Sequence, residues 1–170
     1  MTTEPYDALL IASGCSNGFW RTTAMQSRED IRAGIAAEHD RVAAAATVAV
    51  VGAGPSGVSA AFNIARRFPS KAVHLFCSRD AVLPGYHSWA VGTIRARLED
   101  AGIVIHYGHR AVLPDGFAGE TMTTGRIAWG TGQANTNADL IVWVRRAWSG
   151  WAADALYSRA KINSHQAMYS

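Results

Sequence analysis

The sequence has little cysteine and no clustered metal-binding side chains. Its only two cysteines are Cys15 and Cys77, and no Cys-x-x-Cys pair occurs. Neighbouring cysteines therefore cannot form a redox dithiol or a zinc site, and each thiol is interpreted as a small, at least half-buried side chain. Six histidines are scattered along the chain. His106 and His109 flank a strand-like segment that would place them on opposite faces, so we expect no metal site.

Long apolar runs and concentrations of charge are also lacking. No run of eighteen apolar residues occurs, and the N-terminus has no basic region ahead of an apolar one. This pattern predicts neither a transmembrane helix nor a secretory signal, and it favours a cytoplasmic protein. The formal net charge is +3 and the arginines are dispersed, which argues against a nucleic-acid partner. With 49% hydrophobic and 17% charged residues, the 170-residue chain is predicted to form one globular domain.

The most informative segment is a β-branched apolar run at residues 47–51 and the glycine motif after it. The motif reads Gly52-Ala53-Gly54-Pro55-Ser56-Gly57. Gly52 permits a sharp turn, Gly54 leaves room for a diphosphate, and Gly57 lets a helix at residues 56–68 pack against the strand. The first amides of that helix lack intrahelical acceptors and attract anions. The pattern predicts a Rossmann-type nucleotide-binding fold; the alternative is a glycine-rich turn that serves packing only.

Alternating helix and strand patterns predict the other elements. We expect strands at residues 6–14, 71–77, 103–107 and 139–144, and helices at residues 28–44, with Ser27 as N-cap, and 87–101. The helices are assigned apolar stripes containing Ile31, Ile35, His39 and Val42 in the first, and Trp89, Ile94 and Leu98 in the second. Residues 119–144 alternate around Gly125 and suggest an antiparallel excursion. The predicted class is α/β: a Rossmann-like three-layer domain with a parallel sheet and a small antiparallel β-meander.

Three segments in this order resemble a known family. They are Tyr6-Asp7-Ala8-Leu9-Leu10-Ile11-Ala12-Ser13-Gly14, the glycine motif, and Ala138-Asp139-Leu140-Ile141-Val142-Trp143. Together they resemble the nicotinamide-nucleotide-binding domain of FAD-dependent pyridine nucleotide-disulfide oxidoreductase-like flavoproteins, in the group of type II NADH dehydrogenases and apoptosis-inducing-factor-like enzymes. The resemblance implies an oxidoreductase that passes hydride from NAD(P)H to flavin and on to an acceptor such as a quinone.

The resemblance also implies a domain organisation. Residues 1–23 correspond to a linker strand and loop from a missing flavin domain, residues 24–144 to the NAD(P)-binding domain, and residues 145–170 to an atypical tail. No flavin-binding glycine loop precedes Tyr6, and the family's Ala-x-Gly continuation does not follow Val144. We therefore expect a fragment that by itself binds the dinucleotide but not FAD and has no catalytic side chain. A flavin domain or a second copy of the chain would be its partner.

The predicted cofactor-binding residues lie in two groups. They are Gly52, Gly54, Pro55, Ser56 and Gly57 in the glycine motif, and Cys77, Ser78 and Arg79 after the next strand. Where NAD-binding domains carry a ribose-binding acid, this chain has Cys77. Ser78 and Arg79 suit a phosphate, which favours NADP, but Asp80 could bind a ribose, so NAD stays open.

Three alternatives to this interpretation remain open. The glycine motif alone is as similar to an FAD loop as to an NAD loop, and Ser59 stands where nicotinamide domains often carry an acid; its place after a linker strand and a helix favours NAD(P). A self-contained small Rossmann reductase would need a Tyr-x-x-x-Lys pair, and Tyr157 and Lys161 have that spacing. A non-catalytic interaction remnant would use the tail residues Trp148 and Trp151.

Overall fold

The structure, a computed structural model, describes residues 26–117 and 121–144, which form a six-stranded sheet with three helices. The elements are α1 (Arg28–Ala44), β1 (Thr47–Val51), α2 (Pro55–Arg67), β2 (Ala72–Phe76), α3 (Ser88–Asp100), β3 (Val104–His106), β4 (Ala111–Val112), β5 (Met122–Trp129) and β6 (Thr136–Trp143). Across these two ranges, no helix has the length and apolar character needed to cross a bilayer. Several predictions fall outside the described residues: the strand at 6–14, and the roles of Cys15, Trp148, Trp151, Tyr157 and Lys161.

The sheet is mainly parallel and has β1 near its centre. The strand order is β3-β2-β1-β6-β5-β4. β1 pairs in parallel with both β2 and β6, and β2 pairs in parallel with β3. β5 then runs antiparallel to β6, and β4 antiparallel to β5. The predicted α/β class, a parallel sheet with a small antiparallel part, is confirmed.

Alternate residues of the central strands face different layers. Val48 and Val50 point to the helical side, where they share a buried cluster with Val58 and Ala61 of α2. Ala49 lies in the cluster on the other side of the sheet, whose remaining buried members are Phe76, Ile127, Trp129, Ala138, Ile141 and Trp143. The antiparallel strands therefore extend the same sheet and also supply aromatic side chains that cover its second face.

Helix α1 begins where the sequence predicts. The Asp30 amide donates to the Ser27 hydroxyl at 3.0 Å, and the Ser27 amide donates to the Asp30 carboxylate at 3.2 Å, which forms a capping box. The Ser27 hydroxyl also donates to this carboxylate, and these hydrogen bonds lower the pKa of Asp30. The residues around Ser27 are therefore sufficient to predict where α1 begins.

The predicted apolar stripes of the helices are only partly correct. In α1, Val42 is buried, whereas Ile35 is 41% exposed. In α3, Leu98 is buried, whereas Trp89 is 74% exposed. Trp89 and Leu98 are nine residues apart, which at about 3.6 residues per turn places them on opposite sides of α3, so their spacing itself directs Trp89 away from the core.

Gly125 has a different role from the one its pattern suggests. The predicted antiparallel excursion is present, but β5 passes through Gly125 without reversing. The pairing of β5 with β6 shifts register between Thr123 and Gly125, and Gly125 has a φ of +97°. A glycine in this conformation is typical of a β-bulge. Gly125 therefore bends a continuous strand.

The amino-terminal end of β1 is fixed to β6 by Asp139. Its carboxylate accepts hydrogen bonds from the Thr47 amide and hydroxyl, both at 2.8 Å, and from the Ala46 amide at 3.1 Å. The Asp139 amide donates in return to the Thr47 hydroxyl at 3.0 Å. The bonds with Thr47 are the main reason why the pKa of Asp139 is lowered, and Lys71 contributes a smaller attraction. This end of the sheet lies opposite the glycine motif.

At the other end of β1, two glycines let α2 pack directly on the turn. Gly52 has a φ of +116°, and a Cβ added there would approach the Val144 carbonyl oxygen to 2.6 Å. A Cβ added to Gly57 would lie 1.8 Å from the Gly52 carbonyl oxygen. Both positions therefore exclude a side chain because protein backbone occupies the space.

Replacing Gly57 by alanine should separate α2 from the end of β1. We expect Gly57→Ala to lower the free energy of unfolding by about 3 kcal/mol, because the methyl group would overlap a backbone oxygen that cannot rotate away. Gly92→Ala is the matched control: Gly92 lies inside α3, and an added Cβ meets nothing within 4 Å. It should raise stability by up to about 1 kcal/mol through helix propensity. Urea denaturation followed by circular dichroism measures both, and equal midpoints for the two variants would contradict the packing role.

Candidate nucleotide-binding site

A groove lies at the carboxyl ends of β1, β2 and β6, beside the start of α2. Its volume is about 670 Å³. The residues that line it are Gly52, Ala53, Gly54, Pro55, Ser56, Cys77, Ser78, Arg79, Ala81, Pro84, Gly85, Tyr86 and Val144. β1 has β2 on one side and β6 on the other, so the chain crosses from one side of the sheet to the other at this point. Ligands of open α/β sheets bind at such a position.

The glycine motif forms one wall of the groove and opens at Gly54. A Cβ added to Gly54 meets nothing within 4 Å, in contrast to Gly52 and Gly57. Gly54 is the N-cap of α2, and the first helical hydrogen bond runs from the Val58 amide to the Gly54 carbonyl at 3.0 Å. The amides of Ser56 and Gly57 therefore precede the helical ladder. They form the positive end of a helix whose first turn has no acidic side chain, so this wall is suited to an anion.

The turn after β2 forms the opposite wall. Ser78 and Arg79 are exposed and line the groove. Cys77 is 1% exposed, and burial raises the pKa of its thiol to about 12. The thiol is therefore neutral and inert, as the sequence interpretation of a buried cysteine predicts. Asp80, considered above as a ribose ligand, instead lines a neighbouring hollow of about 480 Å³ together with Arg95 and Tyr107.

The loop between β2 and α3 is anchored to the glycine motif. The Leu83 amide donates to the Ala53 carbonyl at 2.8 Å, and the Leu83 side chain is buried. Leu83 is the one non-glycine residue with positive φ, at 49°, in the described part of the chain. The Tyr86 amide then donates to the Leu83 carbonyl at 3.1 Å, and Tyr86 stands at the edge of the groove. The sequence patterns assign neither a helix nor a strand to this segment. Its apolar pair Val82-Leu83 was the local indication that part of it is buried.

All predicted cofactor-binding residues except Gly57 line the groove. Gly57 is buried and packs against the Gly52 carbonyl oxygen. The structure thus brings together two groups that are about twenty residues apart in the sequence. Ser59, which stands at the position of a common family acid, lies on α2 and lines a different, mainly apolar groove between α2 and α3. The binding roles of these residues are a proposal, developed below.

The predicted separation of His106 and His109 is wrong. β3 ends at His106, so the chain turns and the rings of His106 and His109 come within 5.6 Å. His74 Nδ1 and His106 Nε2 are 3.0 Å apart, and His106 stacks on Phe76 at 4.5 Å. Burial first, and then the neighbouring His74 and His109, lower the pKa of His106. Among the described residues, no group of three or more histidine, cysteine or acidic side chains is arranged to hold a metal ion.

The solved structures that share this fold include a ferredoxin reductase and an NADPH oxidase. A ferredoxin reductase from Rhodopseudomonas palustris superposes with a TM-score of 0.54 at 20% identity, over 68% of this chain and 27% of that one. An NADPH oxidase bound to NADPH, engineered from a Lactobacillus brevis enzyme, gives 0.51 at 18% identity, over 71% of this chain and 24% of its own. The parent water-forming NADH oxidase, bound to NADH, superposes with a TM-score of 0.49 at 19% identity, over 71% of this chain and 24% of that one. This chain thus spans about a quarter of the length of these proteins.

The sequence comparisons agree with the fold. No curated protein matches the chain significantly. The family model described as pyridine nucleotide-disulphide oxidoreductase matches residues 1–145, which is most of the chain. The resemblance inferred from the glycine motif and its flanking strands is therefore confirmed, and the chain belongs to the pyridine nucleotide-disulphide oxidoreductase family.

Proposed function

We propose that this chain is the NAD(P)H-binding domain of an FAD-dependent oxidoreductase. The observation that carries the proposal is the contrast between two glycines of one motif. Gly57 is closed by the Gly52 carbonyl oxygen, whereas Gly54 faces open space above the start of α2. Packing explains the first glycine but not the second. A ligand that approaches the backbone closely explains the second, which favours a nucleotide site over a turn that serves packing only.

The groove offers separate contacts to separate parts of a dinucleotide. The amides of Ser56 and Gly57 would donate to the diphosphate, and the dipole of α2 would favour its negative charge. The turn at Ser78 and Arg79 would meet the adenosine ribose, since it lies across the groove at the end of β2. Tyr86 and Pro84 would cover the ligand from the anchored loop.

The charge of the groove favours NADPH over NADH. Among the described residues that line it, none is aspartate or glutamate, and Arg79 supplies a guanidinium. A carboxylate would bind the ribose hydroxyls of NADH and repel a 2′-phosphate, whereas serine and arginine can bind the phosphate. The engineered NADPH oxidase supports this reasoning, because its substitutions remove one aspartate and introduce two arginines and a serine.

The reaction we propose is hydride transfer from the nicotinamide to a flavin and onward to an acceptor such as a quinone. The flavin supplies the redox chemistry when its domain is present, so the residues of this chain need only bind and orient the hydride donor. The neutral, buried Cys77 agrees with this division, since no nucleophile is required. The flavin would come from a partner domain or subunit.

The diphosphate site can be tested at Gly54. We expect Gly54→Val to weaken dinucleotide binding by about 2 kcal/mol, or about thirtyfold in Kd, because the side chain would occupy the ligand's space. Gly92→Val, outside the groove, is the matched control, since an added Cβ there also meets nothing within 4 Å. Titration with NADH and NADPH, followed by tryptophan fluorescence, gives the affinities. Unchanged affinity in a folded Gly54→Val protein would refute the site.

The cofactor preference can be tested at Arg79. Arg79→Ala should weaken NADPH by about 1–3 kcal/mol, because a charge-assisted contact with the 2′-phosphate is lost, and should change NADH little. Arg66→Ala removes the same charge from the far end of α2 and should leave both affinities unchanged. Isothermal titration calorimetry measures the dissociation constants of NADPH and NADH for the wild-type chain and for both variants. Equal weakening of NADPH and NADH by Arg79→Ala would exclude the assignment to the 2′-phosphate.

An activity assay can test whether this chain binds the dinucleotide without binding a flavin. The sequence contains a single Gly-x-Gly-x-x-Gly motif, and one such loop holds one diphosphate. The purified chain should therefore bind NADPH but carry no flavin absorbance, and it should not oxidise NADPH when FAD and a soluble quinone are added. Hydride transfer requires the nicotinamide and flavin rings at about 3–3.5 Å from each other. We expect that a chain with one diphosphate-binding loop does not bring them together. Steady turnover would show that this chain builds its own flavin site.

A further inference from the structure

The turn that carries Ser78 and Arg79 is held by the chain segment after β3. The Cys77 amide donates to the His106 carbonyl at 2.7 Å, and the His109 amide donates to the Cys77 carbonyl at 2.8 Å. The Gly108 amide donates to the Arg79 carbonyl at 3.1 Å. Two of these bonds precede Ser78 and one follows it, so the backbone on both sides of Ser78 is fixed from the same neighbouring segment.

That segment is held in turn by the connection between β5 and β6. The Gln133 side-chain amide Nε2 donates to the Gly108 carbonyl at 3.1 Å. The Gly130 amide donates to the Arg110 carbonyl at 2.8 Å, and the Arg110 amide to the Thr131 hydroxyl at 3.2 Å. The Thr131 hydroxyl also donates to Gln133 Oε1, which orients the amide group so that Nε2 faces Gly108. The amide and the carbonyl of Gly108 are thus both part of one hydrogen-bond network.

Packing restricts the same segment. The His109 ring lies edge-on to Trp129, with centroids 4.9 Å apart, and 5.5 Å from Phe76. Its Nδ1 is 2.7 Å from the Tyr107 carbonyl oxygen. Between these contacts, Gly108 has a φ of +70°, a conformation that glycine adopts without strain. The side chain of Gln133 therefore acts together with the bonds of the Gly108 and His109 amides in fixing where the Gly108 peptide groups point.

We propose that Gln133 is a positioning residue for cofactor discrimination, acting through Gly108 on Arg79. This inference rests on the proposed function, in which Arg79 binds a 2′-phosphate. Arg79 is exposed, so only its backbone limits where the guanidinium can reach. A planar guanidinium binds a phosphate best from a fixed direction, and ordering a loose turn on binding costs affinity. Gln133 does not line the groove, and its side-chain amide reaches the segment that holds the Arg79 turn at the Gly108 carbonyl.

The first test removes the donor and keeps the length of the side chain. Gln133→Met should weaken NADPH about threefold to tenfold, the range expected for one lost hydrogen bond, and change NADH less than twofold. Thr131→Val removes the hydroxyl that orients Gln133 and that also accepts from the Arg110 amide, and it should shift the ratio of NADPH to NADH affinity in the same direction. Asn135→Ala, exposed in the same connection, is the matched control and should leave the ratio unchanged.

A double-mutant cycle shows whether the effect passes through Arg79. In an Arg79→Ala background, Gln133→Met should no longer change the ratio of NADPH to NADH affinity. An undiminished effect in that background, or an unchanged ratio in the single variant, would overturn the inference. If the wild-type chain bound neither dinucleotide, the proposed function would fail instead.

Hydrogen exchange gives a readout that needs no nucleotide. In the free chain, Gln133→Met should accelerate exchange of the Gly108 amide, which donates to Arg79, while the Val50 amide in the buried centre of β1 keeps its protection. Unchanged protection at Gly108 would contradict the link from Gln133 to the turn.

Discussion

The contact between Gly57 and the Gly52 carbonyl oxygen is the constraint on which the binding groove depends. With only 1.8 Å between that oxygen and a Cβ at residue 57, the start of α2 can reach the end of β1 only if residue 57 is glycine. This approach aims the amides of Ser56 and Gly57 across Gly54. It also brings α2 close enough for Val58 and Ala61 to enter the core beneath the sheet's helical face. Packing and anion binding therefore share one geometric requirement.

The two ends of the parallel sheet differ in how their polar groups are used. At the amino-terminal end, Asp139 fixes β1 to β6 through the Thr47 amide and hydroxyl. At the carboxyl end, backbone groups of the glycine motif and of the turn after β2 are left facing a groove. The carboxylate of Asp139 and its hydrogen bonds are thus remote from the place where a ligand would need free donors. Changes at Asp139 would affect stability without touching the groove.

Local patterns sufficed for much of the fold, and non-local contacts account for most of the differences. The Gly52–Gly57 motif and the Ser27 cap could be identified because their geometry depends on residues next to one another in the chain. The expectation for Trp89 failed for a local reason, since nine residues of helix place it on the side of α3 opposite the buried Leu98. His106 and His109 meet because β3 ends early, a consequence of its pairing with β2. The contact of Leu83 with Ala53 and that of Gln133 with Gly108 join segments about thirty and twenty-five residues apart, so local patterns do not identify either partner.

Both margins of the described sheet are very short. β3 at one edge has three residues and β4 at the other has two. These two strands themselves have few backbone groups, and Val104 and Val112 are about half exposed there; β4 pairs with only Ala128 and Trp129 of the longer β5. Edges of this kind are poor templates for adding a strand from another molecule, which protects a β-rich domain from edge-to-edge aggregation.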